Sequence, residues 1–508
     1  MELTGRLREL GPDALKGIRR GIEKESLRVR PDGTLAQTLH PAALGAALTH
    51  PHITTDFSES QLELITGPHH AIDACLEELT HIHQVVYRHV GEEILWCASM
   101  PCSLPSDHLI PIGRYGTSNI GRAKTVYRLG LSQRYGRRML AISGIHYNFS
   151  LPGATSERYF ALIRNFRRHC WLPICLFGAS PTTCASFVEG RRHPLQELAP
   201  GTLYLPHATS LRMGPLGYQS EAQASLCVSY NSLESYTSSL HDALTKPWPA
   251  YEKIGIRAET GNGDDYRQLS STLLQIENEF YGTIRPKRRI KRGERPLHAL
   301  RERGVQYVEV RLMDLDPFVP VGITASTMRF LDVFLLHCLL AESPPDTPRE
   351  IGEIGRNQHK VALRGREPGL ALERGGEPVA LAGWGARILA ECEPIAAALD
   401  AAHGGAAFRD ALASSLSVLK DSASAPSARV LHAMGRNHDN SYVRFVLVES
   451  TLHKATLQSL ELPAGVQARF AQLAERSLQA QREIETADKV DFETFRRRYL
   501  DYDQLTVQ

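Results

Sequence analysis

The sequence predicts an α+β body that extends to about residue 340, followed by a mainly helical region over 341–508. Short segments with alternating polar and apolar side chains, typical of strands, occur in the first part. Beyond a proline-rich turn at 343–348, the chain becomes rich in Ala, Leu, Glu and Arg at helical spacing. The 508 residues suffice for about two to four domains, or for one large domain with a helical extension.

The composition argues against several classes of protein. Hydrophobic residues make up 42% and charged residues 22%, which is typical of a globular chain. The 58 Lys and Arg against 56 Asp and Glu leave a net charge of +2, so we expect no nucleic-acid partner. A basic run at 285–295 is the exception, but it lacks the interleaved aromatic residues that stack on bases.

The sequence also predicts a cytoplasmic protein that does not enter a membrane. The most apolar run, Phe330–Ala341, is shorter than the roughly 20 residues that a bilayer span needs and contains Asp332 and His337, so it predicts a buried helix. The N-terminus shows no secretory signal. Nine cysteines, an odd number without a CxxC pair, favour reduced thiols.

Acidic residues recur on the segments that we predict as strands. In 20–28, Glu23 and Glu25 share one face, with Lys24 and Ser26 opposite. Taken alone, this pattern also fits a solvated edge strand. A second segment carries Asp56 and then, after a turn, Glu63 between two leucines at 61–65.

Two further strands extend this pattern. In Ile145–Ser150, His146 and Asn148 share a face, and in Tyr307–Leu312 the same holds for Glu309 and Arg311. Buried carboxylates are costly unless they are paired or bound to a cation. Oxygen ligands with one imidazole suit Mg²⁺ or Mn²⁺. The set therefore predicts cation-assisted phosphate chemistry, in which Arg311 neutralises a transferred phosphoryl group.

The usual nucleotide and hydrolase motifs are absent from the sequence. We find no P-loop, no dinucleotide-binding glycine motif, no HExxH and no GxSxG. A metal-dependent phosphohydrolase remains an alternative for the acidic residues, and a nucleic-acid-binding protein that uses 285–295 is the weakest one.

Eight sequence blocks, in order, resemble the proteobacterial type of the glutamate–cysteine ligase family. They are GIEKESLRV, THPHITTDFSESQLELIT, SMPCSLP, YGTSNIGRAKTVYRLGL, ISGIHYNFSLP, ATSLRMGPLGY, YGTIRPKR and YVEVRLMDLDPF. The resemblance covers nearly the whole chain and implies a glutamine-synthetase-like fold. In that fold a curved, mainly antiparallel sheet forms a funnel with metals on its inner face, and helices surround the sheet. In this chain, residues 1–340 would form the catalytic region.

The resemblance implies ligation of the γ-carboxylate of L-glutamate to the amine of L-cysteine, with ATP as co-substrate. Mg²⁺ or Mn²⁺ would be held at three positions. The first would use Glu25, Asp56 and Glu63, the second Glu23, His146 and Glu309, and the third Glu23 with Glu309. Arg311 would act on the phosphoryl group, and Arg285 or Lys287 would contact ATP phosphates. We also expect a monomer and feedback inhibition by glutathione.

The family's substrate-binding residues map onto aromatic and polar positions of this chain: Phe57, Tyr127, Asn148, Arg212, Tyr218 and Tyr281. One position departs from the family pattern, because Leu140 stands where a glutamine is expected. This departure leaves open a ligase of the same fold that uses a different amine.

Overall fold

A computed structural model describes residues 3–217, 221–224, 226–258, 265–291 and 294–502; the predicted binding residue Tyr218 lies outside them. The strands are β1 Arg19–Val29, β2 Ile53–Thr55, β3 Gln61–Ile65, β4 Ile94–Leu95, β5 Ile145–Ser150, β6 Thr182–Cys184, β7 Gln196–Ala199, β8 Thr202–Tyr204, β9 Ile284–Lys287, β10 Tyr307–Met313, β11 Ala371–Arg374 and β12 Glu377–Ala380. The helices are α1 Leu3–Lys16, α2 Ile72–Tyr87, α3 Asn119–Tyr135, α4 Ser156–His169, α5 Trp171–Phe177, α6 Ala185–Val188, α7 Glu221–Ala224, α8 Leu233–Thr245, α9 Pro249–Glu252, α10 Pro296–Arg303, α11 Ala325–Leu340, α12 Pro348–Arg364, α13 Leu381–His403, α14 Ala407–Lys420, α15 Pro426–Asn437, α16 Tyr442–Ser459, α17 Ala464–Ala487 and α18 Phe492–Leu500.

The central feature is a sheet with the strand order β2-β3-β1-β5-β10-β9, in which β4 also pairs with β1. Neighbouring strands in this sheet run antiparallel. The predicted strands at 61–65 and 145–150 coincide with β3 and β5, and the one at 307–312 extends by one residue. The predicted α+β class, with a mainly antiparallel sheet and surrounding helices, is confirmed.

One face of the sheet is covered by helices. The back-facing side chains of the central strands, such as Tyr147, Phe149, Val308 and Val310, are fully buried. Helices α2, α4 and α5 pack on the sheet, and α11 packs against α2 and α4. Because side chains alternate along a strand, burial of this face directs the intervening polar residues to the opposite face.

The apolar run that we predict as a buried helix is the buried helix α11. Within the described residues, none of the helices is sufficiently long and apolar to cross a membrane.

Beyond residue 340 the chain is mainly helical, as predicted, although the hairpin of β11 and β12 was not expected. Residues 421–425 connect α14 to α15. Helix α13 packs against α1 and α11, so residues from both parts of the chain contribute to one hydrophobic core.

A buried ion pair ties β1 to α11 behind the sheet. The Arg20 guanidinium lies 2.9 Å from the Asp332 carboxylate, and both side chains are almost completely buried. The Tyr147 hydroxyl donates to the same carboxylate at 2.7 Å, and Arg20 also donates to the carbonyl of His70. Burial raises the pKa of Asp332, opposed by the charge of Arg20. The apolar run therefore carries its acidic residue as the partner of a buried strand arginine.

We expect Asp332→Asn to destabilise the fold by about 3–5 kcal/mol, because it leaves the Arg20 charge buried without a counter-charge. Tyr147→Phe is the matched control, since it removes one hydrogen bond and should cost about 1–2 kcal/mol. Denaturant unfolding of both variants measures the difference. Equal losses for the two variants would show that the ion pair adds nothing beyond its hydrogen bond.

Candidate active site

A cavity of about 450 Å³ lies over the front face of the sheet. Its wall combines strand residues with residues from α3, α12 and the loops around 212 and 280. Most of the residues predicted for the site line this cavity: Glu23, Glu25, Asp56, Phe57, Glu63, Tyr127, His146, Arg212, Tyr281, Arg285, Lys287 and Arg311.

Strand register brings the acidic residues together. Glu25 stands directly opposite Glu63 across β1 and β3, and Glu23 stands opposite His146 across β1 and β5. Glu309 is paired in register with Asn148 on β5. Residues opposite each other in an antiparallel pair lie about 4.5–5.5 Å apart, so like charges there repel. Such an arrangement needs positive charge to compensate it.

His146 lies between the two glutamates of β1. Its Nδ1 is 3.2 Å from the Glu23 carboxylate and its Nε2 is 3.6 Å from that of Glu25. Asn148 does not line the cavity; its Nδ2 donates to Glu23 at 3.0 Å and so orients that carboxylate. Burial and the charge of Arg311 lower the pKa of His146. The imidazole is therefore neutral near pH 7, which is the form that binds a metal.

The pKa values of the carboxylates report their crowding. Burial, followed by the charge of Asp56, raises the pKa of Glu25 to about 8. Burial together with the charges of Glu23 and Asp56 raises the pKa of Glu63 well above its usual value. A hydrogen bond from the Gly144 amide to Glu25, at 2.7 Å, offsets only part of this cost.

The donor set fits a divalent cation. One ligand atom each from Glu23, Glu63 and His146 lie within 4.8 Å of one another. Carboxylate oxygens with a single imidazole are typical ligands of Mg²⁺ and Mn²⁺. Bound cations would also relieve the repulsion between Glu25 and Glu63. The predicted division of the ligands among three ions stays a prediction.

Glu309 is paired with two cations rather than open to the cavity. Its carboxylate lies 2.5 Å from Arg311 Nη1 and 2.5 Å from Lys287 Nζ, and its side chain is fully buried. Burial opposes its ionisation, but the charges of Lys287 and Arg311 outweigh this effect and hold the pKa of Glu309 well below its usual value. Glu309 therefore orients Arg311 and Lys287 at the β9 edge of the cavity.

Among the described residues of the basic run, those that line the cavity lie at its start. Arg285 lies on β9 beside Glu309, and its guanidinium donates to the carbonyls of Asn278, at 2.9 Å, and Phe280. Arg295, at the other end of the run, forms a buried ion pair with Glu277. The run thus combines cavity residues with a structural ion pair.

The predicted amine pocket has an apolar wall. Leu140 is buried and packs in a small cluster with Phe57, Leu131 and Met139, on which Tyr127 also packs. Tyr281 lies in the same cavity, and its amide donates to the side chain of Gln223 at 3.2 Å. The position that departs from the family pattern is therefore on the cavity wall.

Gly144 is a site residue that the sequence reasoning missed. A Cβ at this position would lie 2.0 Å from Nη2 of Arg212, so the guanidinium can occupy its place only because residue 144 is glycine. From there Arg212 donates to the carbonyl of Arg311 at 2.7 Å. The contact joins residues far apart in sequence, and no local pattern signals it.

Other cavity residues were also missed, and they are mostly cationic, polar or aromatic: Lys124, Arg128, Arg167, Gln223, Tyr230 and Gln358. Lys124 and Arg128 lie within the quoted block YGTSNIGRAKTVYRLGL, so their positive charges on one helix face were a readable signal. Gln358 comes from α12, which no motif connects to the site.

Comparisons with known proteins agree with this geometry. The family model for glutamate-cysteine ligase matches residues 7–361. Glutamate--cysteine ligase from Alcanivorax borkumensis is 46% identical over 500 residues, covering 95% of each chain. That from Pseudomonas entomophila is 49% identical over 513 residues, covering 97% of this chain and 96% of the relative.

Two solved structures share the fold. Glutamate–cysteine ligase from Francisella tularensis, in complex with AMP, matches with a TM-score of 0.91 at 36% identity and covers 96% of this chain and 98% of its own. A bifunctional glutathione synthetase from Pasteurella multocida matches with a TM-score of 0.71 at 26% identity. That match covers 92% of this chain and 57% of the synthetase.

The raised pKa of Glu25 predicts how divalent cations bind. Without a bound cation, the carboxyl group of Glu25 keeps its proton up to about pH 8 in the folded protein, whereas in the unfolded chain it loses the proton near pH 4.5. The free energy of unfolding therefore falls as the pH rises through this window. At pH 6 only about 1% of Glu25 is ionised. Since a metal displaces the proton, the affinity for Mg²⁺ should be roughly fifty-fold higher at pH 8 than at pH 6.

Thermal unfolding with and without Mg²⁺ across this pH range measures the effect, and Glu25→Gln, which cannot titrate, is the control. Mg²⁺ stabilisation that is the same at pH 6 and pH 8 in the unaltered protein would contradict the prediction.

Proposed function

The chain belongs to the glutamate–cysteine ligase family, and we propose that it joins the γ-carboxylate of L-glutamate to the amine of L-cysteine at the expense of ATP. The products are γ-glutamylcysteine, ADP and phosphate, which is the first step of glutathione biosynthesis. The resemblance that the sequence predicts is confirmed by the family match and by near full-length relatives.

One observation carries the assignment to this cavity. The carboxylates of β1, β3 and β10 and the imidazole of β5 meet on one sheet face, beside three cations of β9 and β10: Arg285, Lys287 and Arg311. Phosphoryl transfer between two anions requires this combination, because the charge of both reactants must be neutralised where they meet.

Mg²⁺ is the metal that we propose for the carboxylates, with Mn²⁺ as the alternative. We propose that Glu25, Asp56 and Glu63 hold one ion, that Glu23, His146 and Glu309 hold a second, and that Glu23 and Glu309 share a third. Glu309 would then bind cations while it stays beside Lys287 and Arg311, with which it is paired in the structure. When bound, such ions neutralise the negative charge of the triphosphate and of the glutamate carboxylate. The closeness of the ligand atoms of Glu23, Glu63 and His146 supports a cation site at this face, although it does not follow the proposed division, which assigns Glu63 to a different ion from Glu23 and His146.

In the proposed reaction, an oxygen of the glutamate γ-carboxylate attacks the γ-phosphorus of ATP, and ADP leaves. The amine of cysteine then attacks the acyl carbon of γ-glutamyl phosphate, and phosphate leaves as the amine loses a proton. Arg311 would face the phosphoryl group in both steps, because Glu309 holds its guanidinium at the cavity wall. A fixed cation at that position stabilises the charge that develops in the transition state.

ATP is a substrate of this ligase, and we place its phosphates at the β9 edge of the sheet. Arg285 and Lys287 line the cavity there. The structural relative from F. tularensis binds AMP, which supports a nucleotide site within the shared fold.

We propose that the amine pocket contains Phe57, Tyr127, Arg212, Tyr218 and Tyr281. A buried leucine at 140 makes its wall apolar where a glutamine is expected from the family. A ligase of this fold that takes a different amine is therefore the second candidate, and Leu140 is the observation that favours it.

The state of the cysteines bears on the cellular compartment of the enzyme. All nine cysteines lie within the described residues as free thiols, eight of them buried, which supports a reducing cytoplasm. A monomer, feedback inhibition by glutathione, and a boundary near 340 between the catalytic region 1–340 and the helical region 341–508 stay predictions.

The first experiment measures ADP release with Mg²⁺, ATP and L-glutamate, with and without L-cysteine, and identifies the product by mass spectrometry. We expect turnover to depend on cysteine and to yield a γ-linked dipeptide. A panel of small amines tests the second candidate. ADP release at the same rate without any amine would instead indicate a phosphohydrolase and would contradict the proposed function.

Replacing Arg311 tests its proposed role. Arg311→Ala should lower kcat by about 10²–10³-fold while changing KM for glutamate much less, because the guanidinium acts mainly on the transition state. Arg311→Lys keeps the charge and should recover part of the rate. Steady-state kinetics separate the two parameters, and an unchanged kcat in Arg311→Ala would exclude this role.

A further inference from the structure

Helix α3 presents two cations to the active-site cavity, one helical turn apart. Lys124 and Arg128 both line the cavity, and both lie over the ring of Tyr115, with Lys124 Nζ 5.2 Å and the Arg128 guanidinium 4.5 Å from its centroid. Positions i and i+4 share one face of a helix, so both charges project from the same side.

Neither cation is paired with a carboxylate in the described parts of the chain. Arg128 donates to main-chain carbonyls, namely those of Asp56 and, at 3.0 Å, Lys124. Lys124 Nζ contacts the Tyr115 ring and has no hydrogen-bond acceptor among the described residues. Three other cations of the cavity are paired with carboxylates: Arg167 with Asp346, and Lys287 and Arg311 with Glu309. Arg285, at the β9 edge, donates to main-chain carbonyls as Arg128 does.

The two neighbouring positive charges are costly to the protein by themselves. Like charges at i and i+4 repel each other. Burial, followed by the charge of Arg128, lowers the pKa of Lys124 to about 8, and the negative charge of Glu63 opposes this only in part. An anion placed between the two side chains would remove both costs, so the pair has the properties of an anion-binding site.

The position of the pair indicates which anion it takes. Tyr115 donates from its hydroxyl to the carbonyls of Thr55, at 2.8 Å, and Asp56, at 3.0 Å, which places the pair at the β2 edge of the sheet. Arg285 and Lys287 lie on β9, the opposite edge, five strand-to-strand steps away. At about 4.8 Å a step, this is up to about 24 Å along the sheet. With the phosphates of ATP at the β9 edge, as proposed above, α3 is left to bind a different anion.

We propose that Lys124 and Arg128 bind the α-carboxylate of an amino-acid substrate. The inference rests on the proposed function, in which both substrates other than ATP carry this group. The guanidinium and the ammonium would form two charge-assisted hydrogen bonds to the carboxylate oxygens. Since Tyr115 and the carbonyl of Asp56 hold the pair, the bound amino acid would be fixed relative to Asp56.

Lys124→Gln is the primary test, because glutamine keeps the length of the side chain but removes its charge. A charge-assisted hydrogen bond contributes enough for its loss to weaken binding about ten- to a hundredfold. We expect KM for one amino acid to rise by this factor, while KM for ATP stays the same. Lys253→Gln, on the exposed surface, is the matched control and should leave all constants unchanged.

The two possible sources of the carboxylate are separated by the acceptor. If the pair binds cysteine, Lys124→Gln should raise KM for cysteine but leave kcat/KM for cysteamine, which lacks the carboxylate, unchanged. If it binds glutamate, KM for glutamate should rise equally with either acceptor. Either result supports the proposal. A change in the Mg²⁺ requirement alone, or no change in either amino-acid KM, would overturn it.

Further measurements separate misfolding and the proposed function from this inference. Lys124→Arg should recover binding, and thermal unfolding shows whether each variant folds. If the unaltered protein releases no ADP in response to cysteine, the proposed function is contradicted but the inference about Lys124 and Arg128 is not. Calorimetric binding of L-glutamate and L-cysteine without ATP then still tests the inference, because equal affinity in the unaltered protein and Lys124→Gln would refute it.

Discussion

Repulsion among carboxylates on one face of an antiparallel sheet is the constraint on which the site depends. Strand register places Glu25 opposite Glu63, and Glu23 and Asp56 lie close enough to raise the pKa of Glu63. Strand pairing is stabilised by the apolar back face, so the front-face residues are held together in spite of their charge. The sheet thereby keeps a concentration of negative charge that separate loops would disperse. The cations that we propose for this site would relieve this repulsion.

The positive charges around the carboxylates differ in how they are held. At the β9 edge, Lys287 and Arg311 are oriented by ion pairs to the buried Glu309, so their charges are fixed before any substrate arrives. At the β2 edge, Lys124 and Arg128 are held by a tyrosine ring and by main-chain carbonyls. Fixed cations suit a developing charge in a transition state, whereas cations without a carboxylate partner suit binding of an intact anion.

The back of the sheet also contains charge, and there the cationic side chains of β1 have polar partners within the protein. Lys24 Nζ lies 3.0 Å from the Ser26 hydroxyl and 2.8 Å from the His83 ring, and burial lowers the pKa of Lys24 to about 8. On the same face, Arg20 pairs with Asp332 of α11. Alternation along β1 therefore places charges of opposite sign on opposite faces of one strand.

The strands, the buried helix and the presence of several acidic residues and one imidazole on a single sheet face were predictable, because strand alternation and the cost of burying charge are local properties that a sequence displays. The eight sequence blocks also predicted the family to which the chain belongs. Contacts between distant segments were not predictable: Gly144 making room for Arg212, Gln358 of α12 entering the cavity, and Asp332 pairing with Arg20. Which cations remained without a carboxylate partner was likewise decided by the tertiary structure, because pairing depends on three-dimensional distance and not on sequence spacing.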